Sequence, residues 1–224
     1  MQSVRLVVVA AGLRQPSTTR MLADRLAAAA ERELRGPGTG RDEAGAREVD
    51  VRVIELRELA TDIAHNLVTG FPNTALSEAL KAVESADGLI AVSPIFSASY
   101  SGLFKSFFDL IDPEALGGTP VLIAATGGSA RHSLALEHAL RPLFTYLHAT
   151  VVPTAVYAAT EDWGSSSSGT ESVDLIGRVD RAAAELAALV ELSLRTRPKS
   201  SSAETGAAAE DDDDVVPFEQ LLAR

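Results

Sequence analysis

Apolar positions come in two alternating rhythms along the chain. Val4–Ala10 is an apolar run, the pattern of a strand covered on both faces. Met21, Leu22, Leu26, Ala30 and Leu34 then mark one face of a helix from about Thr18 to Arg35. Gly36–Glu48 is rich in glycine and charge and reads as an exposed connection. Val49–Leu56 alternates like a strand nearer an edge, Thr74–Ser85 reads as a helix, and Asp87–Pro94 reads as a fully buried strand. Leu103, Phe104, Phe107, Phe108 and Ile111 give a further helical face, and Pro120–Thr126 another buried strand. Arg131–His148 has helical spacing, and Pro142 inside it predicts a kink or a break. Thr150–Ala158 is a strand whose Pro153 favours an edge position, and a last helix ends near Arg197-Pro198.

Five strands alternating with helices predict an α/β fold with a parallel, doubly wound sheet. Spacing alone leaves the flavodoxin-like and Rossmann strand orders open. The first turn narrows the chemistry. It lacks the Gly-x-Gly-x-x-Gly dinucleotide fingerprint, and Gly12 is its only glycine.

Composition changes the picture in three places. The absence of cysteine excludes disulfides, thiolate catalysis and cysteine-ligated metal sites. No apolar run reaches the roughly 18–20 residues of a membrane span, and strand-like sequence by Val4 leaves no room for a signal peptide, so a cytoplasmic protein is expected. The net charge is −11. Lys199 and Arg224 against Glu204, Glu210, Asp211–Asp214 and Glu219 leave the tail at −5 and the remainder at −6. An acidic surface argues against nucleic acid as the main partner. The charge also sets a boundary: residues 1–198 form the folded domain, 199–214 read as a solvated acidic linker, and 215–224 as an apolar C-terminal peptide that docks on the body or a neighbour, or frays.

Ligands of open α/β sheets bind beyond the carboxyl ends of the strands, so three loops carry the candidate chemistry. The first, Ala11–Thr19, offers Arg14 for phosphate oxygens and Ser17, Thr18 and Thr19 as hydroxyls at a helix start; an ordinary helix cap with a surface arginine is the plainer reading. The second, Ser93–Gly102, holds two aromatics and four serines, suited either to a flat ring system with polar edges or to a turn that tucks Phe96 into the core while Ser101 caps the next helix. The third, Ala125–His132, has adjacent Gly127 and Gly128, which let backbone approach a ligand but also occur in ordinary turns.

Together the loops resemble the NADPH-dependent FMN reductase family of the flavodoxin-like superfamily, in particular its actinobacterial members and the FMN reductases that serve alkanesulfonate monooxygenases. The likeness covers residues 4 to about 195. Ala11-Gly12-Leu13-Arg14-Gln15-Pro16-Ser17 is similar to the family's G-S-x-R-x-x-S, with Gly12 where relatives carry serine. Pro94-Ile95-Phe96-Ser97-Ala98-Ser99-Tyr100-Ser101-Gly102-Leu103-Phe104-Lys105 resembles P-x-Y-x-x-S-x-x-G-x-L-K, with Phe96 replacing tyrosine. Thr126-Gly127-Gly128-Ser129 resembles the loop over the pyrimidine end of the flavin, and Ala130–His138 with Leu140–Phe144 resembles the sulfonate-linked branch.

The resemblance implies a flavodoxin-like three-layer sandwich with a five-stranded parallel sheet of order 2-1-3-4-5. It also implies an NAD(P)H-dependent FMN reductase with FMN and NADPH (or NADH) as cofactors. The phosphate site falls on Gly12, Arg14, Ser17, Thr18 and Thr19; Pro94, Ile95, Phe96 and Ser97 run along the ring and ribityl chain; Thr126, Gly127, Gly128 and Ser129 cover the pyrimidine end. A homodimer or homotetramer and a flavin-dependent monooxygenase as recipient are implied partners. Hydride passes between cofactors, so no catalytic side chain is assigned. Alternatives are a flavodoxin-like electron carrier, or an NAD(P)H reductase of quinones, azo dyes or chromate. Arg131 with His132 suits an NADPH phosphate or is a plain exposed pair. His65, His138 and His148 are scattered without ligand spacing, so no metal is expected. Trp163 reads as a loop anchor or a dimer contact.

Overall fold

A computed structural model describes residues 3–36, 47–163 and 173–196. The acidic stretch 199–214, the peptide 215–224, most of the glycine-rich connection and the end assigned to the last helix lie outside these residues.

Strand β1 (Val4–Ala10) enters the first turn, and helix α1 (Thr18–Arg35) follows, capped where Ser17 Oγ accepts from the Arg20 N–H. Strand β2 (Val49–Glu55) lies parallel to β1 in unbroken register from Val4↔Val49 to Ala10↔Glu55. Helices α2 (Ala60–Thr69) and α3 (Thr74–Glu84) come next, then β3 (Gly88–Phe96) on the other side of β1. A two-residue strand β4 (Ser99–Tyr100) folds back on β3, and α4 (Gly102–Phe108), β5 (Pro120–Gly127), α5 (Arg141–Tyr146), β6 (Thr150–Val151), β7 (Val156–Ala159) and α6 (Val173–Thr196) complete the order. The main sheet runs β2-β1-β3-β5, with β6 and β7 both pairing to the far side of β5. Counting β6 and β7 as one interrupted strand, this is the 2-1-3-4-5 order of a flavodoxin-like sheet.

Alternation along the central strands explains the three layers. Val7, Val9, Leu89, Ala91, Val121 and Ile123 point to one face, under α2–α5; Leu6, Val8, Ile90, Val92, Leu122 and Ala124 point to the other, under α1 and α6. The first face closes on a cluster of Phe104, Phe108 and Phe144, with ring centroids 4.7 Å apart for the first two and 4.9 Å for Phe108 and Phe144.

Four features depart from the pattern reading. Helix α2 and the short turn Leu56–Leu59 before it were not anticipated; they bury Leu56 and Ile63, and Gly70 ends α2 in a left-handed conformation. Strand β3 runs two residues beyond Pro94, because Ile95 and Phe96 pair with Tyr100 and Ser99. The strand expected over Thr150–Ala158 is split: Pro153 has no N–H for the ladder, and the Thr154 N–H turns to the Glu185 carboxylate at 2.7 Å. The expected break near Pro142 takes the form of a π-helical stretch, Leu136–Leu140, which widens the helix just before the proline enters the first turn of α5.

Phe144, on α5, is wholly buried against Phe104 and Phe108 of α4. Phe144→Ala is expected to cost about 3–5 kcal/mol in urea unfolding. A loss below about 1 kcal/mol would show that the aromatic cluster does not close this layer.

Candidate functional site at the carboxyl edge of the sheet

Three neighbouring strands, β1, β3 and β5, deliver the three predicted loops to one edge. The first loop leaves β1 with the Ala11 N–H held by the Val92 carbonyl at 2.9 Å. Gly12 is buried, while Leu13, Arg14, Gln15 and Pro16 arch outward and Thr18 is exposed at the helix start. A Cβ at Gly12 would overlap Ser17 Oγ and come within 3.0 Å of Thr19 Cβ, so the glycine lets the turn fold tightly onto its own helix. Arg14 makes no hydrogen bond or ion pair among the described residues. By contrast Arg20 is tied to Asp24 and Glu55, and Arg57 to Glu55.

The second loop is a hairpin rather than an open loop. Ser97 and Ala98, at φ 48° and 69°, form the two-residue turn joining β3 to β4. Phe96 is 48% exposed beside it, so it is presented at the surface and not tucked into the core. Beneath it, the fully buried Ser93 hydroxyl donates to the Pro94 carbonyl and accepts from the Ser101 N–H. Ser101 Oγ in turn accepts from the Phe104 N–H and caps α4, as its position before the helix suggested. Pro94 lies beside Thr126 in the sheet register, so the second and third loops start side by side.

The third loop carries Gly127 half-buried and Gly128 exposed. Their roles differ. A Cβ at Gly127 would overlap Tyr157 Oη and sit 3.1 Å from its Cζ, whereas one at Gly128 would meet nothing. Tyr157 Oη donates to the Ser129 carbonyl at 2.9 Å and so clamps the loop from β7. Sequence reasoning missed Tyr157, although a tyrosine amid the small residues of a buried strand needs a partner for its hydroxyl. Burial pushes its pKa up, so the hydroxyl remains a donor through neutral pH. Arg131 and His132 follow, exposed, on the short turn Ala130–His132.

Two residues expected to contact a ligand are occupied with each other. The hydroxyls of Thr19 and Thr126 lie 2.8 Å apart, buried, and link the first loop to the third across the end of β3. Trp163 anchors its segment on α1, under the Arg25 guanidinium 4.6 Å from the ring centroid. A cavity of about 490 Å³ opens on the opposite, amino edge, lined by Asp87, Thr119, Thr150 and Leu192, away from all three loops.

Residues 4–164 match the family described as NADPH-dependent FMN reductase. Over 159 residues the chain is 40% identical to an FMN reductase (NADPH) of Pseudomonas aeruginosa, covering 71% of this chain and 78% of that protein. Over 158 residues it is 39% identical to an NADH-dependent FMN reductase, SfnF, of Pseudomonas putida, covering 70% and 78%. Among solved structures, an oxidoreductase from Corynebacterium diphtheriae superposes with a TM-score of 0.77 at 44% identity, covering 86% of this chain and 99% of that one. The apo form of the NADH:FMN oxidoreductase EMOB superposes at 0.66 and 28% identity, covering 82% and 88%.

The Gly127–Tyr157 contact makes a double-mutant cycle informative. Gly127→Ala is expected to cost about 1–3 kcal/mol by crowding the phenol, and Tyr157→Phe about 1 kcal/mol by removing the donor. The two costs should add to less than their sum, because the second change removes the overlapping oxygen; additive costs would mean no contact. The raised Tyr157 pKa also predicts a stability contribution complete below the unfolded-state value of about 10 and fading as pH rises toward the higher folded value. Denaturation between neutral and alkaline pH should show that loss in the parent and not in Tyr157→Phe.

Proposed function

The chain belongs to the NADPH-dependent FMN reductase family, and from that premise we propose how its carboxyl edge serves an NAD(P)H-dependent reduction of FMN. The observation that carries the reading is Arg14, which forms no hydrogen bond or ion pair among the described residues and stands on the tight glycine turn before α1, while Arg20 and Arg57 nearby pair with carboxylates. A guanidinium in that position, beside the first turn of a helix, suits a phosphate.

Arg14 offers its fork to the phosphate oxygens, with the Ser17 and Thr18 hydroxyls and the backbone N–H groups around Gly12 alongside. Pro94, Ile95, Phe96 and Ser97 line the flavin ring and ribityl chain, and the half-exposed Phe96 gives a flat apolar face. Gly127, Gly128 and Ser129 cover the pyrimidine end; the open space at Gly128 lets a ring lie against backbone. Thr19 and Thr126 serve by holding these loops in register. When bound, the nicotinamide supplies a hydride and the flavin accepts it, so the protein contributes position and electrostatics and no side-chain acid or base.

The reading extends to a cytoplasmic homodimer or homotetramer that delivers reduced FMN to a flavin-dependent monooxygenase. Exposed Leu67, Val68 and Phe71 at the end of α2 favour self-association, which light scattering of the purified protein would test. No helix among the described residues is long and apolar enough to cross a membrane.

The direct assay is NADPH oxidation with added FMN. Turnover no faster than the blank would sink the assignment. Arg14→Ala should weaken FMN binding by ~1.5–3 kcal/mol, roughly 10- to 100-fold in dissociation constant. A fluorescence titration showing unchanged affinity would place the phosphate elsewhere.

A further inference from the structure

A cavity with a cationic lining opens on the same edge. A cavity of about 410 Å³ sits between the β3–β4 hairpin and the segment that follows the third loop. Ala98 and Ser99 form its hairpin wall, and Arg131, His132, Leu134 and His138 line the facing side. Among the described residues no acidic side chain lines it, in a chain of net charge −11. Arg131 and His132 form no hydrogen bond or ion pair among the described residues. Glu137, next to His138 in sequence, gives its two oxygens to Arg141 at 2.6 and 2.9 Å; Arg141 chiefly, and His138 to a lesser degree, hold its carboxyl below the usual range. The π-helical stretch carries His138, and the turn before it carries Arg131 and His132.

This cavity and Arg14 do not serve one phosphate. Arg14 rises from the end of β1 and Arg131 from beyond the end of β5, with β3 between them. Two strand spacings separate those ends by roughly 10 Å. A phosphate held at the first loop therefore leaves the guanidinium and two imidazoles of the second site for a different anion. Relatives named for NADPH and for NADH match the chain about equally well, so nucleotide choice rests on local residues and not on the fold.

Resting on the reductase reading, we infer that this cavity receives the phosphate monoester that distinguishes NADPH from NADH, with Arg131, His132 and His138 as its specificity determinants. A guanidinium fork and two ring N–H donors match the three terminal oxygens of such a group, and the cavity volume leaves room for the attached ribose.

Two measurements test this. In calorimetric titrations of the purified protein, adenosine 2′,5′-bisphosphate should bind about tenfold tighter than adenosine 5′-monophosphate. The gap should close in Arg131→Ala and narrow in His138→Gln. In steady-state assays with FMN, the kcat/KM ratio of NADPH to NADH should fall about tenfold in Arg131→Ala, chiefly through the KM for NADPH. Equal binding of the two adenosine phosphates by the parent protein would overturn the inference. So would an Arg131→Ala change that alters both nucleotides by one factor, or leaves the bisphosphate preference intact. A parent protein that oxidises neither nucleotide with FMN would instead remove the reductase reading, and the bisphosphate titration would still judge the cavity by itself.

Discussion

Everything at the functional edge depends on a sheet covered by helices on both faces. Burial on both sides leaves no room for unsatisfied polar groups within β1, β3 and β5, so polar side chains collect where these strands end. Those that remain buried there are all paired. Thr19 bonds Thr126, Ser93 bonds the Pro94 carbonyl and the Ser101 N–H, and Ser101 caps α4. The Thr19–Thr126 bond ties the first loop to the third, while Ser93 and Ser101 fix the start of α4 against β3. A buried hydroxyl that lost its partner would cost about 1–3 kcal/mol, which makes these links hard to remove without shifting a loop. The exposed groups form a separate set. Arg14, Thr18, Phe96, Gly128 and Arg131, all exposed, lie outside that network.

This division explains how much of the molecule was legible beforehand. The bounds of strand β1 and helix α1 were readable, because one is a run buried on both faces and the other has a serine cap and an apolar stripe, although Met21, read into that stripe, is exposed. The strand order needed the family likeness, since spacing does not order parallel strands. Helix α2 escaped because Leu59, the residue before it, offers no side-chain cap and its exposed Leu67 and Val68 blur the stripe. The β3–β4 hairpin escaped because its turn is Ser97-Ala98, without the glycine or asparagine that positive φ ordinarily demands. Of the candidate site, sequence chemistry located the loops but could not separate hydroxyls that face a ligand from hydroxyls that face each other. The Thr19–Thr126 pair spans more than a hundred residues, and the Tyr157 clamp joins the third loop to a strand beyond α5. Both are contacts of tertiary packing, invisible to local pattern.

An acidic protein that handles anionic cofactors also has to separate its positive charges by use. Most arginines near the carboxyl edge are spent on carboxylates: Arg20 on Asp24 and Glu55, Arg57 on Glu55, Arg141 on Glu137, Arg178 on Asp162. Such pairs hold helices and strand ends together and present little net field. The local field at the edge therefore comes from the arginines left over, and those stand on the first and third loops. Net charge accordingly says little about the ligand, because the pocket potential is set within a Debye length of a few groups, about 8 Å at physiological salt.

The first turn brings the argument to a single atom. Gly12 stands where resembling sequences carry serine, so the turn has one hydroxyl fewer than they do. The space a side chain at position 12 would enter already holds Ser17 Oγ, close enough that a Cβ there would overlap it. That oxygen accepts the Arg20 N–H at 3.2 Å through a lone pair. A side chain at 12 would therefore need Ser17 Oγ to rotate away in this packing, and the cap of α1 rests on that oxygen.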